Sequence, residues 1–345
     1  MRAAVLHGPE NLLIETVDEA PLAPDEVRLE FRSGGICGSD LSYFFKGRVG
    51  DFALREPLIL GHEVSGQVAE TGASVRNVRP GDRVAVNPSR PCLACDYCRR
   101  GRGNLCREMR FFGSAAVFPH IQGAFRERLT VRSDQCHVVP DHVSWRAAAA
   151  AEPLSVGLHA VERAGELLGR SVIIAGAGPI GCMTTLAARA KGAGHITVVD
   201  IVDQPLEAAR ACGADEVVNT ARDPQRLDRY REGKGWFDYG FEVTGAAAVV
   251  GMLFGVVRPG ATVVQVGMLP PGDAPVPVNR LQAREIDYIG AFRCAEEYGT
   301  AVAMIASGRI DVAPVLTNDV PLARAAEAFA LAVDRSRSVK VTVHF

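Results

Sequence analysis

From Ser171 onward, strand-length apolar runs alternate with helix-length amphipathic ones, and no other feature of the chain narrows the fold so far. SVIIAGAG reads as a buried strand entering a turn, PIGCMTTLAARAKG as a helix, HITVVD as a strand and DQPLEAARACG as a helix. WFDYGFEV, ATVVQVG and EIDYIGA continue the strands, with the helix AAAVVGMLFGVV between the first two. Alternation of this kind specifies a parallel, doubly wound sheet, because parallel neighbours need a long crossover and helices supply it. The segment just before, WRAAAAAEPLSVGLHAVERAGELL, reads as helical.

The turn after the first strand is GAGPIG, Gly176 to Gly181. Gly176 permits a tight turn, Gly178 lets the backbone approach a pyrophosphate, and Gly181 lets helix and strand pack closely. Pro179 and Ile180 open the helix, whose free N–H groups and positive dipole end suit phosphate. Asp200 ends the next strand, 19 residues after the last of these glycines. A carboxylate there accepts hydrogen bonds from ribose hydroxyls and repels a 2′-phosphate. Residues 201 to 204 (IVDQ) contain no Arg or Lys, so NAD is expected in preference to NADP. Val243, Thr244, Val266 and Gly267, at the ends of later strands, complete the expected cofactor contacts.

The first 140 residues have a different texture. Short strand-like runs (AAVLH, LLIET, EVRLEF, EVSGQVAE, DRVAVNP, FRERLTV) are separated by Gly and Pro, which reads as a β-rich lobe. After Ala291 come two helical runs, EEYGTAVAMIAS and ARAAEAFALAV, and a last strand, VKVTVHF. Net charge is −2, so nothing in the charge balance points to nucleic acid or an anionic membrane as a bulk partner. The most apolar stretch, residues 172 to 188, is broken by three Gly and a Pro and does not read as a membrane span. MRAAVLHGPE lacks the apolar core of a signal peptide, so the expected compartment is the cytoplasm, where thiols stay reduced.

In that compartment a cysteine cluster points to metal. NPSRPCLACDYCRRGRGNLC holds Cys92, Cys95, Cys98 and Cys106, four of the nine cysteines. Thiolates at this spacing can close on one tetrahedral Zn²⁺ and leave it no open position, so the metal would staple a loop. A second constellation lies in GGICGSDL, GHEVSG and AAEPLSVG. Cys37, His62 and either Glu63 or Glu152 could hold a Zn²⁺ that keeps one position open for chemistry.

Together these segments resemble the zinc-dependent medium-chain dehydrogenase/reductase family over the whole chain, in order. The resemblance implies a GroES-like catalytic domain in residues 1–153, a Rossmann domain in 154–291, and a segment, 292–345, returning to the first domain. It also implies two Zn²⁺ per chain and a homodimer or homotetramer. A substrate hydroxyl would lose its proton to Ser39, and the carbon that bears it would pass hydride to the nicotinamide. Glu152 in place of a third cysteine or histidine is similar to the polyol branch that includes the sorbitol enzymes. GGICGSDL, VAVNPS and above all MRFFGSA with FPH are similar to sugar-acid enzymes of the family, and that resemblance implies L-idonate oxidised at C5 as the first expectation. Sorbitol, another polyol or a threonine-type amino alcohol are the alternatives, and a silent NAD- and zinc-binding regulator is the rival from another class. Tyr43, Phe112 and Arg293 match substrate positions of the sorbitol-type enzymes. Arg293 and Arg110 are each suited to a carboxylate. Where the family often ends its proton relay with histidine, this chain has Ser42.

Overall fold

A computed structural model describes residues 1–345. The alternating region forms a six-stranded sheet, all parallel. Its spatial order is Glu216–Asn219, His195–Asp200, Ser171–Ala175, Phe237–Glu242, Val257–Gln265, Asp287–Gly290. Chain order therefore reverses beside Ser171–Ala175, and the crevice where ligands bind such sheets opens at the carboxyl ends of the strands there. Side chains of one strand divide between the two faces. Val172 and Ile174 enter one core with Val198 and Phe241, while Ile173 and Ala175 enter another with Val199 and Phe254. Near-continuous apolar strands follow from that double coverage.

Two details depart from the sequence reading. The strand Glu216–Asn219 is additional to those expected, being four residues long with only Val218 buried. The long helix before the sheet is two, Trp145–Ala149 and Ala151–Ala164. Pro153 explains the break, since it lacks an N–H and its ring conflicts with the carbonyl four residues earlier, that of Ala149.

The β-rich lobe is built on a sheet in the order Cys136–Val138, Arg83–Val86, Glu63–Thr71, Glu26–Gly35, Lys340–His344, Leu316–Pro321, with Arg128–Arg132 also paired to Glu26–Gly35. Lys340–His344 runs antiparallel to Gly34 and Gly35, so the C-terminal strand lies beside the entry to Cys37. Leu316–Pro321 is not legible in the sequence because it is an edge strand of polar alternation ending in Pro. The helix Glu297–Ala306 packs Tyr298, Ala301 and Val302 into the same core as Leu154 and Leu158. No helix is long and apolar enough to cross a membrane.

Candidate active site and cofactor cleft

The dinucleotide turn is held by sterics that only glycine satisfies. Gly176 has φ +111°, and a Cβ on Gly181 would lie 1.9 Å from the Gly176 carbonyl oxygen. Gly178 is the N-cap and Pro179 the first residue of the helix Pro179–Ala190. Beside this turn runs a cleft of about 590 Å³ between the lobes. Ile180, Val243, Thr244, Val266 and Gly267 line one wall, and Cys37, Ser39 and Ser42 line the other. Lys46 and Arg48 also line it, two cations that the sequence does not connect to the dinucleotide turn because they belong to the other lobe. A phosphate-bearing dinucleotide fits such a cleft, with helix N–H groups on one side and cations on the other. A smaller cavity of about 200 Å³ continues past Gly178 and Pro179 to Arg335.

Cys37 is the N-cap of a helix, Gly38–Lys46, which its glycine-rich approach hides in the sequence. His62 and Glu63 sit where the chain enters the strand Glu63–Thr71. The ligand atoms of Cys37, His62 and Glu63 lie within 4.8 Å of one another. Asp40, fully buried, fixes this group. Its carboxylate accepts from the N–H groups of Cys37 (2.9 Å) and Gly61 (3.0 Å) and stands 3.6 Å from His62 Nδ1. Burial alone would depress the His62 pKa, but Asp40 and Cys37 outweigh it and hold it well above the usual histidine value. His62 Nδ1 is buried with no hydrogen-bond partner and faces the Asp40 carboxylate.

Glu63 is charge-compensated from the far end of the chain. Lys340 Nζ donates to Glu63 Oε1 at 2.6 Å and to the Ile36 carbonyl at 3.0 Å, and both side chains are buried. Burial works against the ammonium, yet the Glu63 carboxylate raises its pKa above the ordinary lysine value. Gly35 makes room for the pair, since a Cβ there would stand 1.9 Å from Glu63 Oε2. Glu152, second in the helix Ala151–Ala164, is buried nearby but outside the compact group. Burial pushes its carboxyl up to about 7, against the pull of His62, Lys340 and Arg293.

The four-cysteine loop forms a second cage. Cys95 and Cys98 sulfurs are 3.5 Å apart, and those of Cys92 and Cys98 are 3.9 Å apart. A tetrahedron of thiolates about 2.3 Å from Zn²⁺ has edges of about 3.8 Å, so the donors present fit that metal. N–H groups of Cys92, Cys95 and Glu108 point at sulfurs in the cage. The Cys98 and Arg107 N–H groups bring Cys95 down to about 6, whereas burial and neighbouring thiols push Cys98 up to about 12. All nine cysteines are free of disulfides.

The cysteine loop also walls a cavity of about 470 Å³, lined by Asn104, Met109, Phe111, Phe292 and Arg293 among others. Asn104 Nδ2 donates to the Phe292 carbonyl at 2.9 Å, tying the loop to the segment that carries Arg293. Arg293 has φ +55°, makes no ion pair, and stacks on Phe111 at 4.1 Å from the ring centroid. Burial lowers its pKa, with Glu152 opposing the shift. Phe111 in turn lies 5.2 Å from the His62 ring. Two expectations for MRFFGSA therefore need correction. Arg110 is exposed and does not line this cavity, and Phe112 is packed into the β-lobe core. Adjacent side chains of the strand Arg110–Phe111 point to opposite faces, so placing Phe111 inward turns Arg110 to solvent. Tyr43 is buried too, its hydroxyl accepting from the Ala115 N–H at 2.9 Å.

A parallel nucleotide-binding sheet joined across a cleft to a β-rich lobe with two metal-ligating clusters defines a class: the NAD(P)-dependent, zinc-binding dehydrogenases. The chain belongs to the zinc-binding alcohol dehydrogenase family. Residues 23–141 match the alcohol dehydrogenase GroES-like domain, and residues 179–307 match the zinc-binding dehydrogenase domain. It is 40% identical to the L-idonate 5-dehydrogenase (NAD(P)(+)) of Escherichia coli, over 92% of this chain and 91% of that one. It is 36% identical to the sorbitol dehydrogenase of Bacillus subtilis, over 100% and 97%. The crystal structure of the Escherichia coli L-idonate 5-dehydrogenase superposes with a TM-score of 0.93, at 37% identity, over 100% of this chain and 98% of that one.

Proposed function

We propose that the chain oxidises a secondary alcohol of a polyol or sugar acid and passes hydride to NAD, with L-idonate oxidised at C5 to 5-keto-D-gluconate as the leading substrate. The observation that carries this reading is the unpaired Arg293 guanidinium, stacked on the same Phe111 ring that flanks His62. A cation without a carboxylate partner, beside a metal-ligating group, suits a substrate that brings its own carboxylate.

Cys37, His62 and Glu63 would hold one Zn²⁺, with Glu152 as the alternative carboxylate, and Cys92, Cys95, Cys98 and Cys106 would hold a second. When bound, the first Zn²⁺ would supply Lewis-acid polarisation of an alcohol oxygen, and the nicotinamide would supply the hydride acceptor. Ser39, on the cleft wall two residues after Cys37, takes the hydroxyl proton. Ser42 does not extend that path, because its hydroxyl donates to the Gly38 carbonyl of its own helix at 3.0 Å; release from Ser39 then runs to solvent in the cleft. Gly176 to Gly181, with Asp200, Val243, Thr244, Val266 and Gly267, hold the dinucleotide across from these groups. The cytoplasm and a homodimeric or homotetrameric assembly complete the proposal.

Initial rates with NAD over L-idonate, sorbitol, xylitol, D-gluconate and L-threonine test it. L-Idonate should have the highest kcat/KM. A higher value on sorbitol would remove the sugar-acid assignment and leave a polyol dehydrogenase.

A further inference from the structure

Asp200 does not stand alone at the adenosine end of the cleft. Its side chain is only 3% exposed and is surrounded by donors. Oδ1 accepts from the N–H groups of Ile201 (2.6 Å) and Val202 (3.1 Å), and Oδ2 accepts from the Ala177 N–H (2.7 Å). The fourth donor is Arg335, whose Nη2 lies 2.5 Å from Oδ2. This guanidinium comes from the turn after the helix Ala325–Val333 and reaches the carboxylate from 135 positions away in the chain. It lines the cavity that also touches Gly178, Pro179 and Pro205. Its side chain is 43% exposed, so N–H groups not used on Asp200 face the cavity and solvent.

The charge at this corner is consequently not that of the local segment. DIVD contributes Asp200 and Asp203, two acids. The fold sets Arg335 against the first and Arg222 against the second, where Asn219 also donates to Asp203 at 2.6 Å. Two carboxylates and two guanidiniums leave the corner without net charge. The repulsion expected between Asp200 and a 2′-phosphate is compensated, and the compensating group is a guanidinium with donors to spare.

We propose that Arg335 is the coenzyme-selecting cation of this chain: it neutralises Asp200 and offers its free N–H groups to a 2′-phosphate, so the site takes NADP as well as NAD. This rests on the dinucleotide reading above. NAD keeps its advantage through Asp200, but Arg335 makes that advantage shallow. A guanidinium suits the task because it can hold a carboxylate along one edge and a phosphate along another.

The test is direct binding, by calorimetry on the intact protein, of ADP and 2′,5′-ADP, which differ only in where the second phosphate sits, with 5′-AMP as the common reference. Wild-type protein should bind 2′,5′-ADP within about tenfold of 5′-AMP. Arg335→Met should weaken 2′,5′-ADP by about tenfold or more, the loss of a charge-assisted contact, while 5′-AMP and ADP change less than about threefold. Arg335→Lys should recover part of the loss. The kcat/KM ratio of NADP to NAD should fall in parallel. Without Arg335 the buried Asp200 carboxylate still accepts from the Ala177, Ile201 and Val202 N–H groups, and the ADP arm reports whether the fold is intact. If Arg335→Met weakens all three ligands equally, or none, the proposal is overturned while the dinucleotide site stands. If wild-type protein binds neither ADP nor NADH, the dinucleotide reading is overturned and the proposal falls with it.

Discussion

The two clusters of candidate metal ligands in this protein are assembled in opposite ways. Cys92, Cys95, Cys98 and Cys106 come from one loop, three of them half-buried, with their sulfurs positioned by the loop's own N–H groups. Cys37, His62 and Glu63 come from a helix cap and a strand entry, and the cluster is completed by Lys340 from the C-terminal strand, 277 positions from Glu63. The first is a local object whose geometry follows from spacing. The second exists only inside the folded lobe, where Asp40 braces the histidine and Lys340 balances a carboxylate that would otherwise be a buried, uncompensated charge. Sites for chemistry need low dielectric and fixed charges, and both require burial by distant parts of the chain.

Four experiments would break or sharpen this contrast. The largest effect is expected at the assembled cluster. His62→Ala or Cys37→Ser should lower kcat/KM by roughly a thousandfold or more, since Lewis-acid stabilisation is worth several kcal/mol, and metal analysis should fall from two zinc ions to one. The unfolding midpoint should move little. Retained activity with one zinc would show that the wrong cluster was assigned to chemistry.

Next is Lys340→Met, which strands Glu63 in the interior. Breaking a buried pair in this way costs about 3–5 kcal/mol, read as a lower midpoint in urea unfolding. Combining it with Glu63→Gln should recover most of the loss, because both charges are then gone. If the double variant is as unstable as the single one, the ion pair is not what the lobe depends on.

Cys95→Ser should lower unfolding stability by about 3 kcal/mol, because zinc binding to a closed cage is folding free energy. It should also raise KM, since Asn104 and Phe292 connect that loop to the cavity wall. A change in KM with no change in stability would make the loop part of the substrate pocket alone.

The smallest effect is expected at the link between the clusters. Arg293→Met should cost about 1.5–3 kcal/mol in kcat/KM for L-idonate, the value of a charge-assisted contact. The loss should be smaller for sorbitol, which carries no charge. Equal losses would mean that Arg293 holds a hydroxyl, and the sugar-acid reading would give way to a polyol one.

What the sequence by itself determined is whatever depends on short spacing. The period of apolar residues specified the parallel sheet and its two-faced core. GAGPIG specified a turn that closes only when Gly181 has no Cβ, and C-x2-C-x2-C-x7-C specified a cage. Cys37 and His62 were legible as a candidate zinc constellation, but spacing left Glu63 and Glu152 as alternatives, and only the fold brings Glu63 into the compact group. Where the observed helices differ from those the periodicity predicts, the competing signal is local too: Pro153 splits one helix, and glycines around Cys37 conceal another. The tertiary structure decided which charges and polar groups meet. Lys340 with Glu63, Arg335 with Asp200 and Asn104 with the Phe292 carbonyl span 277, 135 and 188 positions. It also decided that Phe111 rather than Phe112 faces the cavity, because in a two-residue strand the inward face is chosen by the surrounding packing. Local patterns record the intrinsic preference of a segment, whereas the charge balance of a buried site depends on partners that only chain closure brings within a few ångströms.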